Sequence, residues 1–313
     1  MRPRFYGSGM SAHTHDRPLL ALLIRLGGVL GLSIMAALIK LAHERGIHLA
    51  EIIFWRQFIT LPIILGWAMM AGGWRMLGTK RPGAHALRGI YGAIGMVFNF
   101  GAVILLPLAE WTTFSFSAPI WAVILSIFLL KEKVGPWRWS AVAAGFVGIL
   151  IIANPGSGHI PLAGAAVALI AAFLVALISI QIRELSTTEQ PMVIVFWFAA
   201  ISTVCSAPFM PFVSKAHGWL DWLILFGIGL AGIWGQLMIT MALRLGKVSS
   251  VIVMDYSALI WATLLGWLLF ATLPPATTWI GAPLIVVSGI IIAWRERVLA
   301  KRAFADLRGA VGT

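Results

Sequence analysis

Charge is scarce in this chain. Only 11% of its 313 residues are Asp, Glu, Lys or Arg, while hydrophobic residues make up 60%; an ordinary soluble domain carries roughly 25% charge. A soluble core of this length could not hide so much apolar surface, so most of the chain belongs in lipid. Cysteine is almost missing. Cys205 alone excludes an intrachain disulfide and a thiolate metal site. The seven histidines show no metal-binding spacing such as His-Glu-x-x-His, so neither a metal nor a cofactor is expected. Acid is scarcer than base, 11 residues against 23. In a soluble protein that excess would suggest nucleic acid. Here the basic residues fall in short gaps between apolar runs, with no arginine stripe interleaved with aromatics, which discounts it. No phosphate-binding Gly-x-x-x-x-Gly-Lys-Ser/Thr loop is present, which argues against direct use of ATP. Residues 1–18 lack the short apolar run and small-residue cleavage site of a signal peptide and read as a cytoplasmic tail.

What is present is a series of apolar stretches, at about 19–41, 50–71, 85–107, 111–130, 137–154, 161–182, 191–211, 220–242, 248–270 and 277–294. At 1.5 Å per residue each crosses roughly 30 Å of hydrocarbon, two of them only just. Gly72-Gly73, Gly135-Pro136, Asn154-Pro155-Gly156 and Pro274-Pro275 punctuate them. The gaps after the second, fourth and eighth stretches carry Arg75, Lys80, Arg81 and Arg88, then Lys131, Lys133 and Arg138, then Arg244 and Lys247. The tail 295–313 is basic as well, whereas the alternate gaps hold little Lys or Arg. Both termini are therefore expected in the cytoplasm.

Two copies of one phrase divide the chain. Ser117-Ala118-Pro119-Ile120-Trp121-Ala122 returns as Ser257-Ala258-Leu259-Ile260-Trp261-Ala262 about 140 residues later. At a similar offset Phe54-Trp55 matches Phe196-Trp197, Asn99 matches Gln236 and Trp139 matches Trp279. The expected architecture is all-α and polytopic: ten transmembrane helices in two five-helix repeats, 19–154 and 161–294. Five is odd, so the second repeat enters the membrane from the opposite side and is inverted. With Phe54-Trp55-Arg56-Gln57, Pro107-Leu108-Ala109, Leu130-Lys131-Glu132-Lys133 and the glycines Gly145 and Gly148, the chain resembles the EamA-like ten-span group of the drug/metabolite transporter superfamily. It departs from that pattern at Phe270-Ala271-Thr272-Leu273, where an acidic landmark often stands. The resemblance implies export or exchange of small metabolites and fixes no substrate.

Charges inside apolar runs are costly and mark candidate sites. Arg56 could hold a carboxylate or phosphate through parallel hydrogen bonds; alternatively it reaches the headgroups or pairs with Glu51. Asp255 is a candidate for binding an ammonium group or coupling to protons, against a structural pair with Arg244 or Lys247. Lys40, and similarly Arg25, stand against simple end charges. Asn99 and Gln236 supply neutral polar groups at mid-span, as do Ser117 and Ser257. Gly27, Gly28 and Gly31, Gly89, Gly92 and Gly95, and Gly227, Gly229, Gly232 and Gly235 mark close helix approaches. Of fifteen tryptophans, seven near span ends (Trp74, Trp137, Trp139, Trp219, Trp222, Trp279, Trp294) fit interface belts. Trp55, Trp121, Trp197, Trp234 and Trp261 lie deeper and, with Phe98 and Tyr256, are candidate cavity walls.

These features point to a secondary transporter, not an enzyme, in the bacterial inner membrane. Its expected partners are a small zwitterionic or anionic organic metabolite, amino-acid-like or nucleoside-like, and membrane lipids, with protons or a counter-substrate for coupling. The chain is expected to work as a monomer or weak dimer. Export of organic cations or drugs is the alternative cargo reading; a passive channel or intramembrane enzyme is the alternative class.

Overall fold

The computed structural model describes residues 18–129, 135–154, 160–245 and 253–311, all of them helix or short connections. The first 17 residues, the Leu130-Lys131-Glu132-Lys133 landmark, Pro155-Gly156, His159, Lys247 and the start of the ninth stretch lie outside the described residues. Among the described residues, nine helical segments are long and apolar enough to cross a membrane, and a tenth, Met254–Phe270, is shorter.

The first span is α1 (Pro18–Glu44), the second α2 (Leu49–Ala71) and the third α3 (Pro82–Leu105). The fourth is broken into α4 (Leu108–Ser115) and α5 (Ala118–Leu129), and α6 (Pro136–Ala153) is the fifth. The second half runs through α7 (Leu162–Leu185) and α8 (Pro191–Ser206), which continues through a 3-10 turn into α9 (Met210–Val213). Then come α10 (Trp219–Leu245), a 3-10 segment Val253–Ser257 leading into α11 (Ala258–Phe270), and α12 (Ala276–Val311). Proline sits in the first turn of α3, α6 and α8, where its missing N–H has no intrahelical partner to lose.

Helix contacts repeat between the halves. α1 lies along α10 as α7 lies along α3, and α2 packs on α10 as α8 packs on α3. α5 meets α7 as α11 meets α1, while α2 with α8 and α6 with α12 pair across the pseudo-twofold axis. Small residues permit the closest crossings. A Cβ on Gly148 would stand 2.8 Å from the Gly281 carbonyl oxygen, and one on Gly281 2.6 Å from that of Gly148. Gly28, Gly31 and Gly235 do the same for α1 and α10, whereas Gly27 has open space.

The breaks in the fourth and ninth spans are equivalent too. Ser117 and Ser257 each donate a 2.6 Å hydrogen bond to the carbonyl three residues back, Phe114 and Met254. Interrupting a buried helix frees carbonyls, and a serine at the break satisfies one. The residues just before them, Phe116 and Tyr256, meet edge to face at 5.1 Å. The twice-written phrase thus brings the two halves together at their breaks.

Two polar clasps close the connections. On the face holding the chain ends, Arg81 donates to Glu184 at 2.6 Å and Thr79 to Glu189 at 2.6 Å. On the opposite face Arg45 donates to Asp221 at 2.5 Å, and Glu51 lies 2.7 Å from His217 Nε2 and accepts from Ser214 at 3.3 Å. Glu51 and Glu189 are repeat-equivalent, and Arg45–Asp221 mirrors Glu184–Arg81 with the charges exchanged. Apolar packing is less even. Towards the face opposite the chain ends, one continuous cluster includes Ile39, Ile52, Phe100, Leu108, Leu225 and Ile228, and a second includes Leu106, Phe114, Ile152 and Ile285. Among the described residues, the half nearer the chain ends holds three small separate clusters, around Ile120, Ala21 and Ile64. All seven span-end tryptophans are exposed, as an interface belt requires, and so is Trp234, which lies against the α1 crossing at Gly31.

Candidate functional site

Arg56 lies two turns into α2 and reaches the space between α3 and α10. Its Nη1 donates to Gln57 Oε1 at 2.7 Å and approaches Met96 Sδ at 3.3 Å, and its guanidinium carbon stands 5.8 Å from the Phe100 ring centre. Gly232 of α10 makes room, since a Cβ there would come within 3.3 Å of Arg56 Nε. That Nε is enclosed without a hydrogen-bond partner. Glu51, the acid on the preceding turn, is occupied by His217 and Ser214. Arg56 is therefore neither paired with Glu51 nor joined to any other acid among the described residues.

Beside Arg56, Gln57 is buried with its Nε2 unpartnered. Elsewhere in the bundle the indole N–H groups of Trp111, Trp121 and Trp261 are enclosed without acceptors, and Glu110 Oε2 and Gln181 Oε1 are enclosed without donors. Trp121 presents its ring edge-on to Phe146 and Phe173, at 5.5 and 5.7 Å. Phe98 and Asn99 are part-buried on α3 between Met96 and Phe100. Buried donors without partners cost free energy, and an acceptor-bearing guest removes that cost.

Other sequence candidates lie elsewhere. Lys40 donates to the carbonyls of Ile104 and Leu106, at 3.3 and 2.9 Å, and so caps the C-terminal end of α3. Asp255 is held through both oxygens by Arg25, at 2.6 and 2.5 Å. Its partner among the described side chains is thus another end charge, of the first span; the expected partners, the Arg244 side chain and Lys247, lie outside the described residues. Tyr256 faces Phe116, and its hydroxyl fills the space left by Gly289. Trp197 donates its indole N–H to the Leu77 carbonyl at 3.1 Å, at the end of the bundle nearer the chain termini. Gln236, although mid-span, is exposed. Trp55 packs on Trp222 at 4.8 Å and lines an apolar cleft of about 380 Å³ between α2 and α10, with Ile59, Pro62, Phe226 and Leu230. No cluster of metal ligands occurs among the described residues.

Two residues outside the sequence candidates stand out. Phe116 was legible as the repeat equivalent of Tyr256. Arg88, assigned by sequence to a basic gap, is buried within α3 with Nε and Nη1 unpartnered; its position four residues before Gly92 was the available signal.

The chain resembles known transporters throughout both halves. A sequence model of the EamA-like transporter family matches residues 19–154 and again 162–294. The riboflavin transporter of Vibrio cholerae is 30% identical over 250 residues, covering 78% of this chain and 82% of its own. The pseudopaline exporter CntI of Pseudomonas aeruginosa is 31% identical over 265 residues, 83% of this chain and 91% of its own. An S-adenosylmethionine uptake transporter of Rickettsia bellii is 25% identical over 256 residues, 80% and 86% of the two chains. A crystal structure of a protein with 21% identity superposes with a TM-score of 0.59 over 90% of this chain and 99% of that one, which shows a shared fold. With helices crossing in repeat-related pairs and both halves matched in turn, the chain belongs to the EamA-like transporter family, a multi-pass membrane transporter of small molecules and not an enzyme.

Proposed function

We propose that this protein is a secondary active transporter that carries a small amphipathic metabolite, zwitterionic or anionic, across the bacterial inner membrane by alternating access. The observation that carries this reading is Arg56, a guanidinium inside the bundle with no acid partner among the described residues and a free Nε. An unpaired cation there is costly, and a carboxylate or phosphate on the cargo offsets that cost. Met96, Phe100, Asn99 and the indoles of Trp111, Trp121 and Trp261 supply apolar contact and hydrogen-bond donors for the rest of the molecule. The relatives are named for different metabolites, which fits a shared frame whose pocket residues choose the cargo.

Alternating access is supported by the uneven packing. Continuous apolar clusters seal the half away from the chain ends, while among the described residues the other half is divided and holds the Arg25–Asp255 pair. With the basic gaps expected in the cytoplasm, this packing supports the reading of a state sealed towards the outside. Asp255 can offer both oxygens to cargo only when Arg25 releases it, so that pair would break and re-form during the cycle. An organic-cation cargo would need Asp255 free to face it; its double engagement by Arg25 favours the anionic reading.

A ligand panel scored by thermal shift on the purified protein tests this. Carboxylate-bearing metabolites should raise the melting temperature of the wild type and lose that effect in Arg56→Gln, with folding retained. Asp255→Asn should keep it. An unchanged ligand profile in Arg56→Gln would remove the charge assignment.

A further inference from the structure

We propose that Arg88 is the second anchor of a two-anion site, so that the cargo bears two acidic groups separated by an apolar part. This rests on the reading of Arg56 as the first anchor. Arg88, Gly92, Met96 and Phe100 follow one another at four-residue spacing on a single stripe of α3. The Arg88 guanidinium folds along that stripe, where a Cβ on Gly92 would strike its Nη1, and stacks on the Phe198 ring of α8 at 4.4 Å. Arg56 reaches the same stripe at Met96 and Phe100. Gly92 and Met96 are four residues apart, so the two guanidiniums attach to it about 6 Å apart along the helix axis. Phe198 packs against the apolar cluster that contains Met96 and Phe100, leaving an apolar wall between the charges.

Neither arginine has an acid partner among the described residues. Arg88 is only 7% exposed, yet Nε and Nη1 lack partners; stacking on Phe198 occupies a face of the guanidinium and leaves its in-plane N–H groups free. Among the described acids, Glu189 accepts from Thr79, Glu184 pairs with Arg81, Glu51 is engaged through one oxygen by His217, and Asp255 pairs with Arg25. Ser202, one turn beyond Phe198, is buried with its hydroxyl also unpartnered. Two in-plane donor edges on one stripe, with an aromatic ring beside them, suit a rigid or aromatic diacid better than a monoacid.

The test compares benzoate with isophthalate on the full-length protein in detergent, at fixed pH and ionic strength, by tryptophan fluorescence titration. Wild type should bind the diacid about tenfold or more tightly than the monoacid, the expected value of one extra charge-assisted contact. Arg88→Gln should erase that preference by bringing isophthalate down to the affinity of benzoate, and Arg88→Lys should restore part of it. Arg56→Gln should weaken both acids. Equal affinities in wild type, or a preference that survives in Arg88→Gln, overturn the second anchor while Arg56-dependent benzoate binding keeps the first. Failure of both acids to bind removes the first anchor and this one with it.

Discussion

Arg25 and Asp255 lie 230 positions apart in the chain and share two short hydrogen bonds. Replacing each alone and both together, Arg25→Gln and Asp255→Asn, gives a cycle whose outcome the geometry sets. Opposite charges about 4 Å apart at an effective dielectric near 20 attract by roughly 4 kcal/mol. Asp255 is 37% exposed, so solvent screening and the desolvation of Arg25 reduce this to a coupling of about 1–2 kcal/mol. The two single variants should differ. Asp255→Asn strands a guanidinium that is 8% exposed, whereas Arg25→Gln leaves a carboxylate that water can reach. Thermal unfolding in detergent should therefore fall further for Asp255→Asn, with a drop of roughly 2–4 °C at about 2 °C per kcal/mol for a chain of this size. The double variant should lose less than the two singles summed. Strict additivity, or a larger loss in Arg25→Gln, would refute the pair as a desolvated latch.

Three further outcomes follow from the packing. Gly148→Ala drives a methyl into the Gly281 carbonyl and should cost about 1–3 kcal/mol in the same melting assay, whereas Gly27→Ala, with open space around it, should be neutral. Glu51→Ala removes a buried carboxylate that engages His217 and should cost about 1–3 kcal/mol, against less than about 1 kcal/mol for the more exposed Arg81→Ala; equal losses would contradict the difference in burial. In a Cys205→Ser background, Lys215→Cys should react with a membrane-impermeant thiol reagent added to intact cells and Lys80→Cys should not. The reverse pattern would invert the orientation.

The sequence carried the architecture because duplication is written in covalent order. The offset that joins Ser117 to Ser257 also joins Phe116 to Tyr256, one shorter by two residues joins Glu51 to Glu189, and five spans per half require inversion. Packing partners are not written that way. Arg25 is 230 positions from Asp255 in sequence, yet α11 lies beside α1, which brings the two together. Mid-span position did not separate Asn99 from Gln236 either. Depth along the helix is readable from length, but the face it presents depends on the neighbouring helices, and Gln236 is exposed. For Lys40 the sequence leaves a site residue and an end charge both open, and it carries no sign of the two carbonyls at the end of α3 to which Lys40 donates. Arg88 escaped notice because hydropathy places a charge near a span end in the interface, and only Gly92 reveals the room made for it.

Counterflow in proteoliposomes tests the central claim most directly. A carboxylate metabolite that stabilises the purified protein would be loaded unlabelled inside, with its labelled form supplied outside in trace. Wild type should show a transient accumulation of label above equilibrium, and Arg56→Gln, reconstituted to the same density, should show none. Label that merely equilibrates in wild type, or an overshoot that persists in Arg56→Gln, would contradict an alternating-access carrier whose cargo is held by Arg56.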